Sequence, residues 1–188
     1  MPGIRKKRVL HVGCGPLAGL KLHESFRGPD WEEVRLDINP AAHPDIVASI
    51  TDMAAVPTGS FDALYSSHNL EHLPPHEAKL ALKEFYRVLR PEGYALITLP
   101  DLGMIAAAIA AGGEEKTVFM TDKGPIAPLD MLYGFRPFLE KNPFMAHRYG
   151  YTAATLETAL REAGFAHVAV EPDSAYNLWA IVSPTVPA

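Results

Sequence analysis

The run Arg8-Val9-Leu10-His11-Val12 stops at Gly13-Cys14-Gly15-Pro16, and Leu17 to Phe26 then carries apolar residues at helical spacing. A short apolar run closed by a glycine turn reads as a buried strand, and a period of three to four residues reads as a helix. Strand, tight turn and helix in that order constrain the fold more than any other feature, because the pattern recurs. Trp31 to Leu36 reads as a second strand ending at Asp37, Asp45 to Ala48 as a short third before Thr51-Asp52, and Phe61 to Ser66 as a fourth. Pro74-Pro75 can open a helix, since proline in the first turn removes no hydrogen bond that the helix would have made. Ala78, Ala81, Leu82, Phe85, Val88 and Leu89 then mark its apolar face, and Pro91-Glu92-Gly93 supplies the stop before a fifth strand, Tyr94 to Leu99.

Thr152 to Ala163 is a further amphipathic helix with Gly164 as its C-cap, and His167 to Val170 with Leu178 to Val182 reads as a closing hairpin. The expectation is an α/β, doubly wound, Rossmann-like parallel sheet covered on both faces. The alternation fails in 101–151, where Gly112-Gly113, Pro125, Pro128, Pro137 and Pro143 interrupt short helical pieces. Segments this long are uncommon unless functional or disordered. Phe119, Tyr133, Phe135, Phe138, Phe144, Tyr149 and Tyr151 argue for order, so a lid or substrate-binding insertion after the fifth strand is expected.

At 188 residues, 48% hydrophobic and 21% charged, the chain suits one domain, 1–188, with a core that needs no staples. Cys14 has no intrachain partner, and no leader pattern opens the chain, which fits a reducing cytoplasm. The longest apolar stretch, Ile105 to Ala111, falls far short of the roughly 20 residues that span a bilayer, so no membrane span is expected. A net charge of −5 offers no broad cationic field, and Arg5-Lys6-Lys7-Arg8 reads as the solvated lead-in to the first strand. Nucleic acid is therefore disfavoured as a substrate, and a homodimer is the default expectation for assembly.

In such sheets ligands bind beyond the carboxyl ends of the strands. Gly13 and Gly15 allow close approach of backbone to ligand, and Asp37 can accept hydrogen bonds from a ribose, which together point to a nucleoside-containing cofactor. Gly13-Cys14-Gly15-Pro16-Leu17-Ala18 also fits the G-x-G-x-x-A dinucleotide fingerprint. Two cofactor classes thus compete on this motif alone.

Residues 8 to 100 resemble the type-11 methyltransferase domain family, a class I S-adenosylmethionine-dependent group typified by ubiquinone and menaquinone methylating enzymes. The resemblance is carried by Val9-Leu10-His11-Val12-Gly13-Cys14-Gly15, Leu36-Asp37, Thr51-Asp52-Met53 through Phe61-Asp62, Ser67-His68-Asn69-Leu70-Glu71-His72-Leu73, and Arg87-Val88-Leu89-Arg90-Pro91-Glu92-Gly93. It implies strand order 3-2-1-4-5-7-6 with strand 7 antiparallel. It also implies that Gly13, Cys14 and Gly15 pass near the methionine part of the cofactor, and that Asp37 and Ile38 meet the ribose side. Asp52 and Met53 would flank the adenine, with Ser67 and His68 near the methionine side. The chain departs from the pattern at His11, usually acidic, and at Pro16-Leu17, where a third glycine often stands. His11, inside a buried strand, is expected to be a neutral, hydrogen-bonded core residue.

The implied reaction is methyl transfer from S-adenosylmethionine to a small molecule, leaving S-adenosylhomocysteine. The sulfonium makes the methyl group electrophilic, so the protein has to align a nucleophile and, where needed, take a proton. His68, His72 and His147 are the candidate catalytic residues, and Asp101, Arg136, Arg148 and Tyr149 the candidate substrate contacts. His68, Glu71 and His72 stand at i, i+3 and i+4, so one helical turn would bring them to one face, where a divalent metal joined by His147 is chemically conceivable. Glu-His-Leu is common in family members that need no metal, and Pro74-Pro75 can end the turn early, so no metal is expected. The alternatives are a methyltransferase-like module that binds cofactor without turnover and a nicotinamide-dependent oxidoreductase. The latter lacks an obvious tyrosine-lysine pair or substrate domain.

Overall fold

The computed structural model describes residues 5–16 and 21–186. A seven-stranded sheet is built from β1 (Lys7–Val12), β2 (Trp31–Asp37), β3 (Ile46–Val47), β4 (Phe61–Ser67), β5 (Leu89–Pro100), β8 (His167–Pro172) and β9 (Asn177–Ser183), in the order β3-β2-β1-β4-β5-β9-β8. Counted within this sheet alone the order is 3-2-1-4-5-7-6, as the resemblance implies. β1 to β5 run parallel, and β9 is antiparallel to both β5 and β8.

Alternate residues of each strand face opposite sides. Leu10, Val12, Leu64, Ala95, Ile97 and Leu99 join the larger core cluster, into which α1 (Pro75–Val88) places Ala81, Leu82 and Phe85, and α5 (Ala153–Glu162) places Leu156 and Leu160. Val9, Ala63, Tyr65 and Leu96 face the other way. That side departs from the expected helical cover. Among the described residues it is filled by Leu22 and Phe26, with Trp31, Tyr94 and Trp179 packed around them. Instead of a helix through Phe26, residues 24–26 form one 3-10 turn, capped by the His23 ring accepting from the Ser25 amide. Gly28-Pro29 follows immediately, and proline blocks helical continuation of the chain before it. Residues 17–20 of the expected helix lie outside the described residues.

A second difference lies after α1. Leu89 leaves the helix directly in extended conformation (φ −76°, ψ 143°), so Pro91-Glu92-Gly93 is an irregularity inside β5 rather than a separating turn. Pairing with β4 jumps from Phe61↔Leu89 to Ala63↔Tyr94. Gly93 suits this spot because a Cβ there would lie 3.1 Å from each of the carbonyl oxygens of Phe61, Asp62 and Arg90.

The segment 101–151 contains α2 (Leu102–Ala110), a hairpin of β6 (Phe119–Thr121) and β7 (Gly124–Ile126), α3 (Pro128–Tyr133) and α4 (Arg136–Leu139). It leaves and rejoins the sheet at one point, where the Leu102 amide donates to the Tyr151 carbonyl and the Asp101 amide to that of Tyr176. No helix among the described residues is long and apolar enough to cross a membrane.

Asp173 ties the β8–β9 turn. Its carboxylate accepts from the amides of Ala175 and Asn177, from Asn177 Nδ2 and from Trp179 Nε1 at 2.7 to 3.0 Å. Burial pushes its pKa up, but these donors outweigh it and hold the carboxyl below its ordinary value of 3.8. A depressed carboxylate stabilises the fold above the unfolded-state pKa and loses that contribution as pH falls through the folded value. Asp173→Ala is therefore expected to cost about 1 to 3 kcal/mol near neutral pH, with the difference from the parent closing below pH 3.8, read as melting temperature against pH.

Candidate functional site

The carboxyl ends of β1, β2 and β4 converge on the Gly13–Gly15 loop. Gly13 (φ +60°) and Gly15 (φ +64°) both occupy the left-handed region that favours glycine. The loop is pinned from three sides. Cys14 donates its amide to the Leu36 carbonyl, Gly15 donates to Asp37 Oδ2 at 2.8 Å, and the Gly15 carbonyl accepts from Arg35 Nη2 at 2.6 Å. From the β4 side, Asn69 Nδ2 donates to the Val12 carbonyl and to Ser66 Oγ. Asn69 stands within the motif after β4, but its role needs the β1–β4 pairing, and Arg35 carries no sequence signal.

Asp37 accepts one amide at each oxygen, from Gly15 and from Asn39. A carboxylate offers about four acceptor positions, so two remain for a ribose diol. Ile38 beside it is 71% exposed, an aliphatic surface suited to a purine ring. Asp52 stands at the neighbouring turn with its backbone bridged to Ser49. Met53 differs from its expected place: its side chain is wholly buried in the core, and its amide and carbonyl are clamped by Glu84 and Arg87 of α1. With its side chain buried and its amide and carbonyl already hydrogen-bonded, Met53 presents no open group to an adenine. Cys14 is buried, and burial raises its thiol pKa, so it is no thiolate nucleophile. His11 is also buried, with Nδ1 2.7 Å from Glu33 Oε1, and burial lowers its pKa despite that carboxylate, which matches the neutral core residue expected. This donor set fits a nucleoside cofactor.

After Ser67 the chain turns sharply. His68 sits at φ +54°, a left-handed conformation that is strained for a side chain of its size. The 3-10 turn Leu70–His72 follows, and Pro74-Pro75 ends it before α1 begins. His68 and His72 are consequently not on one helical face. Glu71 is the hub between them: it is 1% exposed, and its Oε1 lies 3.1 Å from His68 Nδ1. Desolvation opposes the charge on both members of this pair. The mutual hydrogen bond and attraction outweigh it, holding His68 above and Glu71 below their ordinary values, with His72 and His147 adding to the effect on Glu71.

The insertion's last stretch is laced to this turn. The Glu71 carbonyl accepts from the amides of Arg148 (2.7 Å) and Tyr149 (3.2 Å), and His72 Nδ1 donates to the Ala146 carbonyl at 3.3 Å. His147 Nδ1 donates to the Met131 carbonyl at 2.7 Å, and its ring lies 5.0 Å from that of His72. Burial lowers the His147 pKa, keeping the ring neutral. A cavity of about 280 Å³ opens here, lined by Glu71, Leu102, Ile105, His147, Arg148 and Tyr149 among others. The remaining candidates stand elsewhere. Asp101 caps α2, its Oδ1 accepting from the amides of Gly103 and Met104. Arg136 is held by Asp130 and Glu115 within the insertion. Burial and two carboxylate partners leave neither residue facing the cavity.

Residues 10–97 match the type-11 family model described as "Methyltransferase domain". A ubiquinone biosynthesis O-methyltransferase from Xanthomonas oryzae pv. oryzae (strain PXO99A) is 30% identical over 131 residues, 62% of this chain and 53% of that protein. The chain therefore spans about half the length of the curated relative it matches. Among solved structures, a Pyrococcus horikoshii OT3 protein superposes with TM-score 0.64 at 17% identity over 96% of this chain and 82% of that one. An S-adenosylmethionine-dependent methyltransferase from Archaeoglobus fulgidus gives 0.63 at 17% identity, covering 95% and 86%. At that identity the likeness concerns the fold, and fold, glycine loop and the match over residues 10–97 agree in what this chain is similar to, the type-11 methyltransferase domain.

Proposed function

We propose that the chain transfers a methyl group from S-adenosylmethionine to a small-molecule acceptor. One observation carries this reading: a single turn, residues 67–72, holds the glycine loop through Asn69 and lines the cavity through Glu71. Cofactor loop and acceptor-sized pocket are thereby neighbours, as alignment of a nucleophile with a methyl group requires. Bound S-adenosylmethionine supplies the methyl group on an electrophilic sulfonium. Asp37 would take the ribose diol, Ile38 and Asp52 the purine side, and Gly13, Cys14, Gly15, Ser67 and His68 the methionine side. The segment 101–151 would act as the lid that shapes the acceptor pocket, with Arg148 and Tyr149 at its wall and His72 and His147 where an acceptor's proton is handled.

Calorimetry with S-adenosylmethionine, S-adenosylhomocysteine and NAD(H) tests the reading. Micromolar binding of the two sulfur nucleosides and none of NAD(H) is expected, as is an affinity loss of about ten- to a hundred-fold in Asp37→Ala, equivalent to one or two charge-assisted hydrogen bonds. Binding of NAD(H) alone, or unchanged affinity in Asp37→Ala, would sink the cofactor assignment. Binding without transfer to any small-molecule acceptor would leave the non-catalytic module.

A further inference from the structure

We propose that Glu71, His72 and His147 form a divalent transition-metal site of the zinc class, beside the cavity that Glu71 and His147 line, with an open coordination position. Each residue offers one ligand atom, and these atoms lie within 4.8 Å of one another. Two imidazoles and a carboxylate are a known zinc set, with bonds of about 2.0 to 2.2 Å and a fourth position left for water or substrate. Tetrahedral ligands at that radius are about 3.4 Å apart, so small side-chain rotations close the set.

The surroundings of the three residues point the same way. A metal-binding histidine commonly donates its other ring nitrogen to a backbone carbonyl, which fixes the tautomer and frees the opposite lone pair. Both histidines do this: His72 Nδ1 meets the Ala146 carbonyl and His147 Nδ1 the Met131 carbonyl. A carbonyl can only accept, so each Nδ1 carries a proton, and Nε2 is the ring atom left to meet a metal. The third ligand is held too, because His68 Nδ1 takes Glu71 Oε1. Glu71 Oε2 is fully buried without any hydrogen-bond partner. A buried carboxylate oxygen with no donor, beside two oriented imidazoles, has the charge and geometry to bind a cation. The proposal departs from the metal-free expectation from sequence, which rested on the Glu-His-Leu pattern of metal-free family members and on Pro74-Pro75 ending the turn. The turn does end, but His147 arrives from the insertion to replace the missing helical neighbour.

Metal binding stands independently of the methyl-transfer reading. The site's use rests on that reading: the open position would hold a hydroxyl of the acceptor and lower its pKa, favouring acceptors that present an oxygen beside an apolar body.

Titration of metal-stripped protein with Zn²⁺ by calorimetry, and with Co²⁺ by its visible tetrahedral bands, decides the matter. One equivalent should bind, with affinity falling at least about a hundred-fold in His147→Ala and in His72→Ala, and about ten-fold in His68→Gln, which removes only an orienting partner. His76→Ala, at an exposed position on α1, should bind like the parent. Circular dichroism would show that each variant is folded, as would S-adenosylhomocysteine affinity for the variants at positions 72, 76 and 147, whatever the metal affinity. The proposal fails if no stoichiometric metal binds, or if His147→Ala and His72→Ala bind as the parent does. If metal binds as expected but methyl transfer is never seen, the site stands and the reading above fails.

Discussion

Gly13→Ala is expected to lower stability by about 2 to 5 kcal/mol and to reduce cofactor affinity with it. A Cβ at position 13 would lie 1.9 Å from Asn69 Oδ1 and 2.5 Å from its Cγ, inside any possible contact distance. Asn69 would have to swing away, giving up its bonds to the Val12 carbonyl and Ser66 Oγ, worth about 1 to 3 kcal/mol together. Holding alanine at φ +60° adds about 1 to 2 kcal/mol. Urea denaturation measures the loss. Asn69→Ala in the same chain removes the clash but not the backbone strain, so the double variant should be clearly less destabilised than the sum of the two singles. Strict additivity would show that the two residues do not press on each other.

Phe85→Ala should produce the other large effect, about 3 to 5 kcal/mol in the urea midpoint times slope. Phe85 is fully buried on α1, within the cluster that joins this helix to Leu64, Ile97 and α5. The same helix carries Glu84 and Arg87, which clamp Met53. Truncation should therefore loosen the 52–53 turn as well, and hydrogen exchange at the Met53 amide should rise. A loss below about 1.5 kcal/mol would mean that neighbouring side chains collapse into the space.

The strands were legible because their chemistry is local. Val9 to Val12, Trp31 to Asp37 and Leu178 to Val182 each announce themselves by apolar content and a bounding turn, and α1 by its Pro75 start and the Ala78-Leu82-Phe85 stripe. The 3-10 turn on the second face was not legible, since Leu22 and Phe26 have helical spacing whether or not a helix forms. What decides the matter is the Gly28-Pro29 stop and the pocket that Tyr65, Tyr94 and Trp31 offer to Phe26. In the site, glycines and Asp37 could be placed from the motif. The meeting of His72 with His147 could not, because the residues are brought together by amides of 148 and 149 finding one carbonyl at position 71. Long-range backbone bonds of that kind leave no periodic trace. Arg136 illustrates the reverse: an arginine among aromatics invites a substrate role, yet Glu115 and Asp130 occupy it.

β9 follows β8 in the chain but lies inside it in the sheet, between β5 and β8. As the chain is extended, β8 has no partner until β9, the strand it pairs with among the described residues, has followed it out. The Asp101 amide, which opens the insertion, waits for the same moment, since its acceptor is the carbonyl of Tyr176 at the threshold of β9. The nascent protein must then hold its parallel half and its insertion in an incomplete state until the closing strand slots between them. Chains truncated before residue 177 would expose the edge of β5, a long apolar strand, as a surface open to pairing and to chaperones.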